Sequence, residues 1–385
     1  MSDQIDIAVI GGGAAGLMAA ITAANALKTS GKVVIFERGQ RVGRKLLATG
    51  NGRCNLSNRN ASPEHYHGAD PDFVRSAFKK FSVKSNLDLF YKMGLLTVEE
   101  EEGKLYPRSL QAAAVVDILR LEADLAGVTT LCETEVTAIR PRKGGFSLET
   151  SAGSFSARTV ILAAGGEASA SLGGTDSGYR LLSALGHKIT DRKPAIVQLQ
   201  TDVTHTKALS GLKIDGIVTI TGKEPVSRFG EILFTDYGIS GPPVMTLSSL
   251  VVRRLGGGRT VTLSLDIVPD MEPDRLRKIL SGKASSRPDR KLEDYLTGIL
   301  PKRIGQAALK AAGIAPLSRT AGSLAPAEID ALCRQLKDWK ITVTSHNGMK
   351  NAQVTAGGAE TAGFYPDTLA SKKLLHLKRY RSICI

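Results

Sequence analysis

The sequence predicts a doubly wound α/β fold with an inserted antiparallel β domain and a small helical subdomain. Three observations carry that expectation. Ile5–Ile10 is rich in β-branched residues and reads as a buried strand. It runs into Gly11-Gly12-Gly13-Ala14-Ala15-Gly16 and then into a small, apolar, helical run over 17–26. Val33–Phe36 is a second strand, ending on the acid Glu37. From 195 to 265 the texture changes to short alternating strands separated by glycine or Asp-Gly turns.

The first turn has the spacing G-x-G-x-x-G, and each position has a physical task. Gly11 permits a tight exit from the strand. Gly13 carries no side chain that would keep a diphosphate from the backbone N–H groups, and Gly16 lets the helix approach the sheet. Ala14 and Ala15 open the helix, whose N-terminus offers unpaired donors and a partial positive charge. Glu37 stands about 20 residues further on, where it can accept from ribose hydroxyls and where its charge would repel a 2′-phosphate. Strand, turn, helix and acid together predict an adenine-dinucleotide site. They do not choose between NAD and FAD.

The loop that follows does choose. Gly43-Arg44-Lys45-Leu46-Leu47-Ala48-Thr49-Gly50-Asn51-Gly52-Arg53-Cys54-Asn55-Leu56-Ser57-Asn58 resembles the segment after the second strand in glutathione-reductase-like flavoproteins. More narrowly, it resembles the HI0933-like (YhiN/BaiN-type) NAD(P)/FAD-dependent oxidoreductases. The resemblance implies a Rossmann-type FAD-binding domain in which this loop lies along the flavin. Arg44, Lys45 and Arg53 are then candidates to stabilise phosphate or reduced-flavin charge, and Asn51 and Asn55 to hydrogen-bond the ring edge. Arg38, Gly50, Gly52 and Cys54 are further cofactor-binding candidates.

Later segments extend the likeness. The strand over 131–139 contains Val136, at the position where such flavoproteins pair backbone with the adenine. The run 159–166 ends in Ala163-Ala164-Gly165-Gly166 and resembles the element that passes close behind the dinucleotide. The Tyr106-Pro107 pattern resembles a region on the substrate side. Phe234-Thr235-Asp236-Tyr237-Gly238-Ile239-Ser240-Gly241-Pro242 resembles a family element in which many relatives carry His where this chain has Asp236. Asp236 and Cys54 are weak catalytic candidates, and the sequence names no firm catalytic residue.

Composition bounds the alternatives. The chain has 385 residues, room for two or three cores, and 42% hydrophobic content with 23% charged residues fits a globular protein. No apolar run approaches the ~20 residues of a membrane span. The N-terminus enters the first strand without a signal-like segment, so a cytoplasmic location is expected. Cys54, Cys132, Cys333 and Cys384 form no C-x-x-C pair, which disfavours a disulfide framework, a redox pair and a zinc site. The four glutamates 99–102 read as a solvated edge, so no metal is expected. Net charge is +14. Basic stretches without interleaved aromatics give no specific nucleic-acid site.

The expected domains are a FAD-binding part at 1–193, an inserted β domain at 194–268, a helical subdomain at 269–340 and a return to the FAD domain at 341–373. The remaining 374–385 form an atypical basic tail. Residues 372–385 contain neither glycine nor acid, so they lack the glycine-acid turn with which family members close the flavin site. We read this end as truncated or frame-shifted. The expected function is FAD-dependent hydride transfer between NAD(P)H and a small keto or enone substrate. The alternatives are an FAD-dependent oxidase of a small amine or ketone, and a truncated, non-catalytic dinucleotide-binding protein. Oligomeric state is not legible in the sequence.

Overall fold

The computed structural model describes residues 4–28, 31–68, 70–256, 259–375 and 383–384, and the chain divides into two compact units. The first comprises Met1–Arg192 and Gly357–Ile385, the second Lys193–Ala356. The expected tail falls largely outside the described residues. Its backbone at Ile383–Cys384 pairs in parallel with Val160 and Ile161.

Unit 1 is built on β1 (Ile5–Ile10), α1 (Ala14–Leu27) and β2 (Val33–Phe36). Its sheet runs Thr129–Leu131, β2, β1, Gly153–Leu162, Gly145–Thr150, Val136–Arg142. The first four are parallel, with Ile7 opposite Val33 and Ile10 opposite Leu162, and the last two add an antiparallel meander. Period-two alternation sends neighbouring side chains of β1 to opposite faces. Val9 packs with Leu17, Ile21 and Leu119, whereas Ile10 packs with Phe36, Phe146, Leu162 and Phe364. Each face therefore has its own apolar core.

Two sequence expectations change in detail. The alternating run 131–139 is split, because Glu133 is left-handed at φ 53°. There the chain crosses the end of β2, with the Glu133 N–H on the Gly39 carbonyl and the Thr134 N–H on the Glu37 carbonyl. Residues 72–93, whose apolar residues recur near helical spacing and predict one helical stretch, form two helices, Arg75–Lys80 and Val83–Lys92. Ser82 separates them and caps the second, accepting from the Ser85 N–H at 3.2 Å.

Unit 2 is a closed antiparallel barrel in the order Leu199–Thr201, Gly238–Ser240, Val226–Phe234, Lys213–Ile220, Val261–Asp266, Trp339–His346. The inserted antiparallel sheet expected from the sequence is this barrel. Two expected boundaries move. Trp339–His346 closes the barrel by pairing with both Val261–Asp266 and Leu199–Thr201, so the return to unit 1 comes at Gly357 rather than at 341. The helices Pro273–Ser286, Lys302–Ala311 and Pro326–Lys337 are no separate subdomain. Leu276, Ile304 and Leu332 share one buried core with the barrel residues Val218, Phe234 and Leu263.

The returning segment is fastened to unit 1 by a buried histidine. His187 stacks on Phe364 with ring centroids 4.3 Å apart, and its Nε2 lies 2.9 Å from the Ser371 hydroxyl. Desolvation, helped by the nearby Lys373 charge, pulls the imidazole below its ordinary value of 6.5. The native state therefore binds this proton less readily than the unfolded chain does. Stability from this site is intact above about pH 6.5 and falls as pH drops from there toward the folded-state value. Thermal melts from pH 7.5 to 5 are expected to show that decline, and His187→Gln to flatten it.

Candidate functional site

The β1–α1 turn is compressed on one side and open on the other. Gly11 is left-handed at φ 105°, and a Cβ there would overlap the Ala163 carbonyl. A Cβ on Gly16 would overlap the Gly11 carbonyl, so α1 and its own turn leave no room for a side chain. Gly13 is the opposite case, because a Cβ there would meet no atom within 4 Å. It is the N-cap of α1 and makes no side-chain cap, so the N–H groups of the first turn have no intrahelical partner.

Gly13 opens onto a cleft of about 340 Å³. Its walls are the end of β2 (Phe36, Glu37), the following loop (Arg38, Gly39, Arg41, Arg44, Lys45), Thr134 to Val136, Ala163 to Gly165, and a segment from Leu172 to Leu181. The Glu37 carboxylate spans the two chain ends, accepting from the Gly12 N–H at 2.7 Å and the Gly39 N–H at 2.6 Å. A carboxylate has about four lone-pair sites, so acceptor capacity remains on the cleft side. Arg38, Arg41, Arg44 and Lys45 outnumber Glu37 and Glu135 along these walls, which favours an anion. Lys45 is partly desolvated, and that burial lowers its pKa.

The structure brings together Gly11, Gly13, Glu37, Arg38, Arg44, Lys45, Val136, Ala163, Ala164 and Gly165 of the sequence-derived candidates. Gly166 sits one residue beyond, its carbonyl accepting from Lys45 Nζ at 3.1 Å. Ala14 and Ala15 are exposed at the start of α1. The loop carrying Gly50, Asn51, Gly52, Arg53, Cys54 and Asn55 does not line this cleft. Gly50, Asn51, Gly52 and Cys54 all have positive φ. The Arg53 guanidinium is committed to Glu100 at 2.8 Å and lies 4.4 Å from the Tyr106 ring centroid. Asp236 belongs to unit 2, exposed on the turn after Val226–Phe234 where the Thr235 N–H bonds the Gly238 carbonyl. Sequence reasoning missed Gly12, Gly39, Thr134, Glu135, Gly173 and Thr175. The glycine-rich run 173–178 carried the one available signal, since such a loop after a strand permits close approach to a ligand.

A glycine-walled turn at a helix N-terminus, facing an acid at the end of the next parallel strand, defines a Rossmann-type α/β protein. The chain belongs to the HI0933-like family of flavoprotein oxidoreductases. The profile of the HI0933-like protein Rossmann domain matches residues 5–378. The chain is 37% identical over 368 residues to a 3-dehydro-bile acid delta(4,6)-reductase of Clostridium scindens, covering 95% of this chain and 89% of the relative. It is 29% identical over 381 residues to a ribosomal RNA dihydrouridine synthase of Haemophilus influenzae, covering 97% and 90%. To the protein of that name in Escherichia coli it is 27% identical over 376 residues, with the same coverage. Among the described residues, no helix is long and apolar enough to cross a membrane.

Cys54 is 1% exposed in the core beneath α1, and desolvation raises its thiol pKa, with a smaller opposing effect from Thr49. Such a thiol is a poor nucleophile at neutral pH. Iodoacetamide at pH 7.5 is expected to leave Cys54 unmodified in the native protein and to label it after denaturation, as read by peptide mass. Labelling of native Cys54 would restore it as a redox candidate.

Proposed function

We propose that the chain is an FAD-dependent reductase that passes hydride from NAD(P)H to a carbon–carbon double bond conjugated with a carbonyl. The observation that carries the reading is the open space at Gly13, at the head of a 14-residue helix, facing Glu37 across a cation-rich cleft. The first-turn N–H groups from Gly13 to Gly16 would receive the diphosphate, with Arg38, Arg44 and Lys45 offsetting its charge. Glu37, held by two backbone donors, would accept from ribose hydroxyls. Gly11 brings β1 close to Ala163, so that Ala163, Ala164 and Gly165 form a smooth floor, and Val136 offers backbone to the adenine. The resemblance of the 50–55 loop to flavoprotein segments is what favours FAD over NAD as the resident group.

Bound FAD would supply the two-electron chemistry, taking hydride from NAD(P)H and delivering it to the substrate. The substrate class rests on the chemical sense of the relatives' names. A 3-oxo bile acid unsaturated at positions 4 and 6 and the uracil ring of uridine both present an alkene conjugated to a carbonyl. Hydride addition to the far carbon places negative charge on that oxygen, and a proton completes the reduction. The higher identity to the bile-acid reductase favours a small-molecule enone. A second reading, in which the alkene is a uracil within RNA, is favoured by the net charge of +14.

The cofactor test is the visible spectrum of the purified protein, with the released flavin identified. Gly13→Val discriminates well, because a Cβ there meets no atom within 4 Å and the backbone, at φ −81° and ψ −170°, is extended. The expected result is a melting temperature lowered by only a few degrees, the cost of a poorer N-cap, and FAD binding weaker by about 100-fold, roughly 2.7 kcal/mol. Wild-type protein that rejects FAD, or a variant that binds it normally, would refute the assignment. Anaerobic NADH and NADPH oxidation with a 4-en-3-one steroid or a uridine-containing RNA as acceptor then decides the substrate. Oxygen consumption with a small amine or ketone and no NAD(P)H would favour an oxidase.

A further inference from the structure

Arg38, Arg44 and Lys45 all follow β2, yet each donates to a backbone carbonyl far along the chain. Arg44 Nη2 reaches the Ser171 carbonyl at 2.9 Å, Lys45 Nζ the Gly166 carbonyl at 3.1 Å, and Arg38 Nη2 the Gly173 carbonyl at 3.3 Å. Their sequence separations are 127, 121 and 135 residues. The recipients all lie between 166 and 173, in a segment that has little regular structure beyond one short 3-10 turn, Ala170–Leu172. It is folded on itself by turn bonds, with the Leu172 N–H on Ser169, the Gly173 N–H on Ala170 and the Thr175 N–H on Gly166. Through Leu172, Gly173 and Thr175 it forms one wall of the cleft.

These contacts have a mismatch that points to a second state. Three cations are satisfied by neutral carbonyls, and among the described residues no carboxylate is paired with any of them. A charged oxygen acceptor adds direct ionic attraction to the hydrogen bond that a neutral carbonyl gives such donors. A diphosphate in the cleft therefore competes for the same N–H groups that hold the wall.

We propose that residues 166–175 form a strap, latched over the cleft by Arg38, Arg44 and Lys45, that unlatches for a dinucleotide to enter or leave. The three residues are positioning residues for the wall and charge partners of the ligand in turn. Weakening the latch speeds both entry and release. The inference rests on the dinucleotide reading for the identity of the ligand, but not for the existence of the latch.

Hydrogen exchange followed by mass spectrometry on ligand-free protein separates the two. In Arg44→Gln, Lys45→Met and the double variant, the amides of Leu172, Gly173, Gly174 and Thr175 are expected to exchange about tenfold faster than in wild type. Peptides from β1 and α1 should be unchanged, which reports an intact fold. Arg38→Gln, at an exposed position, provides a milder variant should the double fail to fold. Equal exchange of the strap amides in wild type and folded variants would overturn the latch, whatever FAD does. With FAD added, stopped-flow fluorescence should show entry and release both accelerated; slower entry with faster release, which loss of a charge partner gives by itself, or unchanged rates despite faster strap exchange, would overturn its gating role. Wild-type protein that binds no FAD would count against the dinucleotide reading alone, since the exchange comparison is made without ligand.

Discussion

The Glu37 carboxylate is the constraint on which unit 1 depends. Its two oxygens tie the Gly12 N–H at the head of the first turn to the Gly39 N–H beyond β2. Charge-assisted bonds of this kind contribute about 1.5–3 kcal/mol each. They add a side-chain tie between two chain segments that the sheet register and backbone bonds also join. The same region is closed by the Gly43 N–H on the Gly12 carbonyl and the Thr134 N–H on the Glu37 carbonyl. The cleft is thus pre-shaped by backbone bonds, and an acid there orders the protein as well as facing a ligand.

Steric limits then distribute the glycines by task. Gly11 and Gly16 are excluded from carrying side chains by carbonyl groups of the protein itself. Gly13 is not, and its bareness is unexplained by packing. On the proposed reading, a diphosphate is the neighbour that Gly13 admits, and spacing alone could not separate Gly13 from Gly11 and Gly16.

The α/β architecture was legible because β1, α1 and β2 show their periods plainly and sit at the expected distances from Glu37. The barrel was legible from the short alternating strands across 195–265, but its closure was not. Trp339–His346 joins strands more than seventy residues upstream, and nothing local in 339–346 announces a partner at Val261 or Thr201. The helices after 272 looked independent because amphipathicity shows that a face is buried without showing against what. In the site, the glycines and Glu37 could be read from local rules. The 166–175 wall could not, because its placement depends on side chains of the distant β2 loop.

Charge placement locates the anion site more sharply than composition does. Arg53 was as good a candidate for negative charge as Arg44, yet its guanidinium is paired with Glu100 and lies over Tyr106, leaving little unspent attraction. Arg59 pairs with Glu99 and Lys104 with Glu102, so three of the four glutamates that read as a solvated edge neutralise the loop beside them. Among the described residues no carboxylate pairs with Arg38, Arg44 or Lys45 of the β2 loop, and these three cations rest on carbonyls instead. A neutral acceptor satisfies the geometry of an N–H without compensating its charge. The uncompensated charge therefore collects at the mouth of the Gly13 turn, where the helix N-terminus already adds to it. A ligand with two phosphates is the chemical species that relieves both at once.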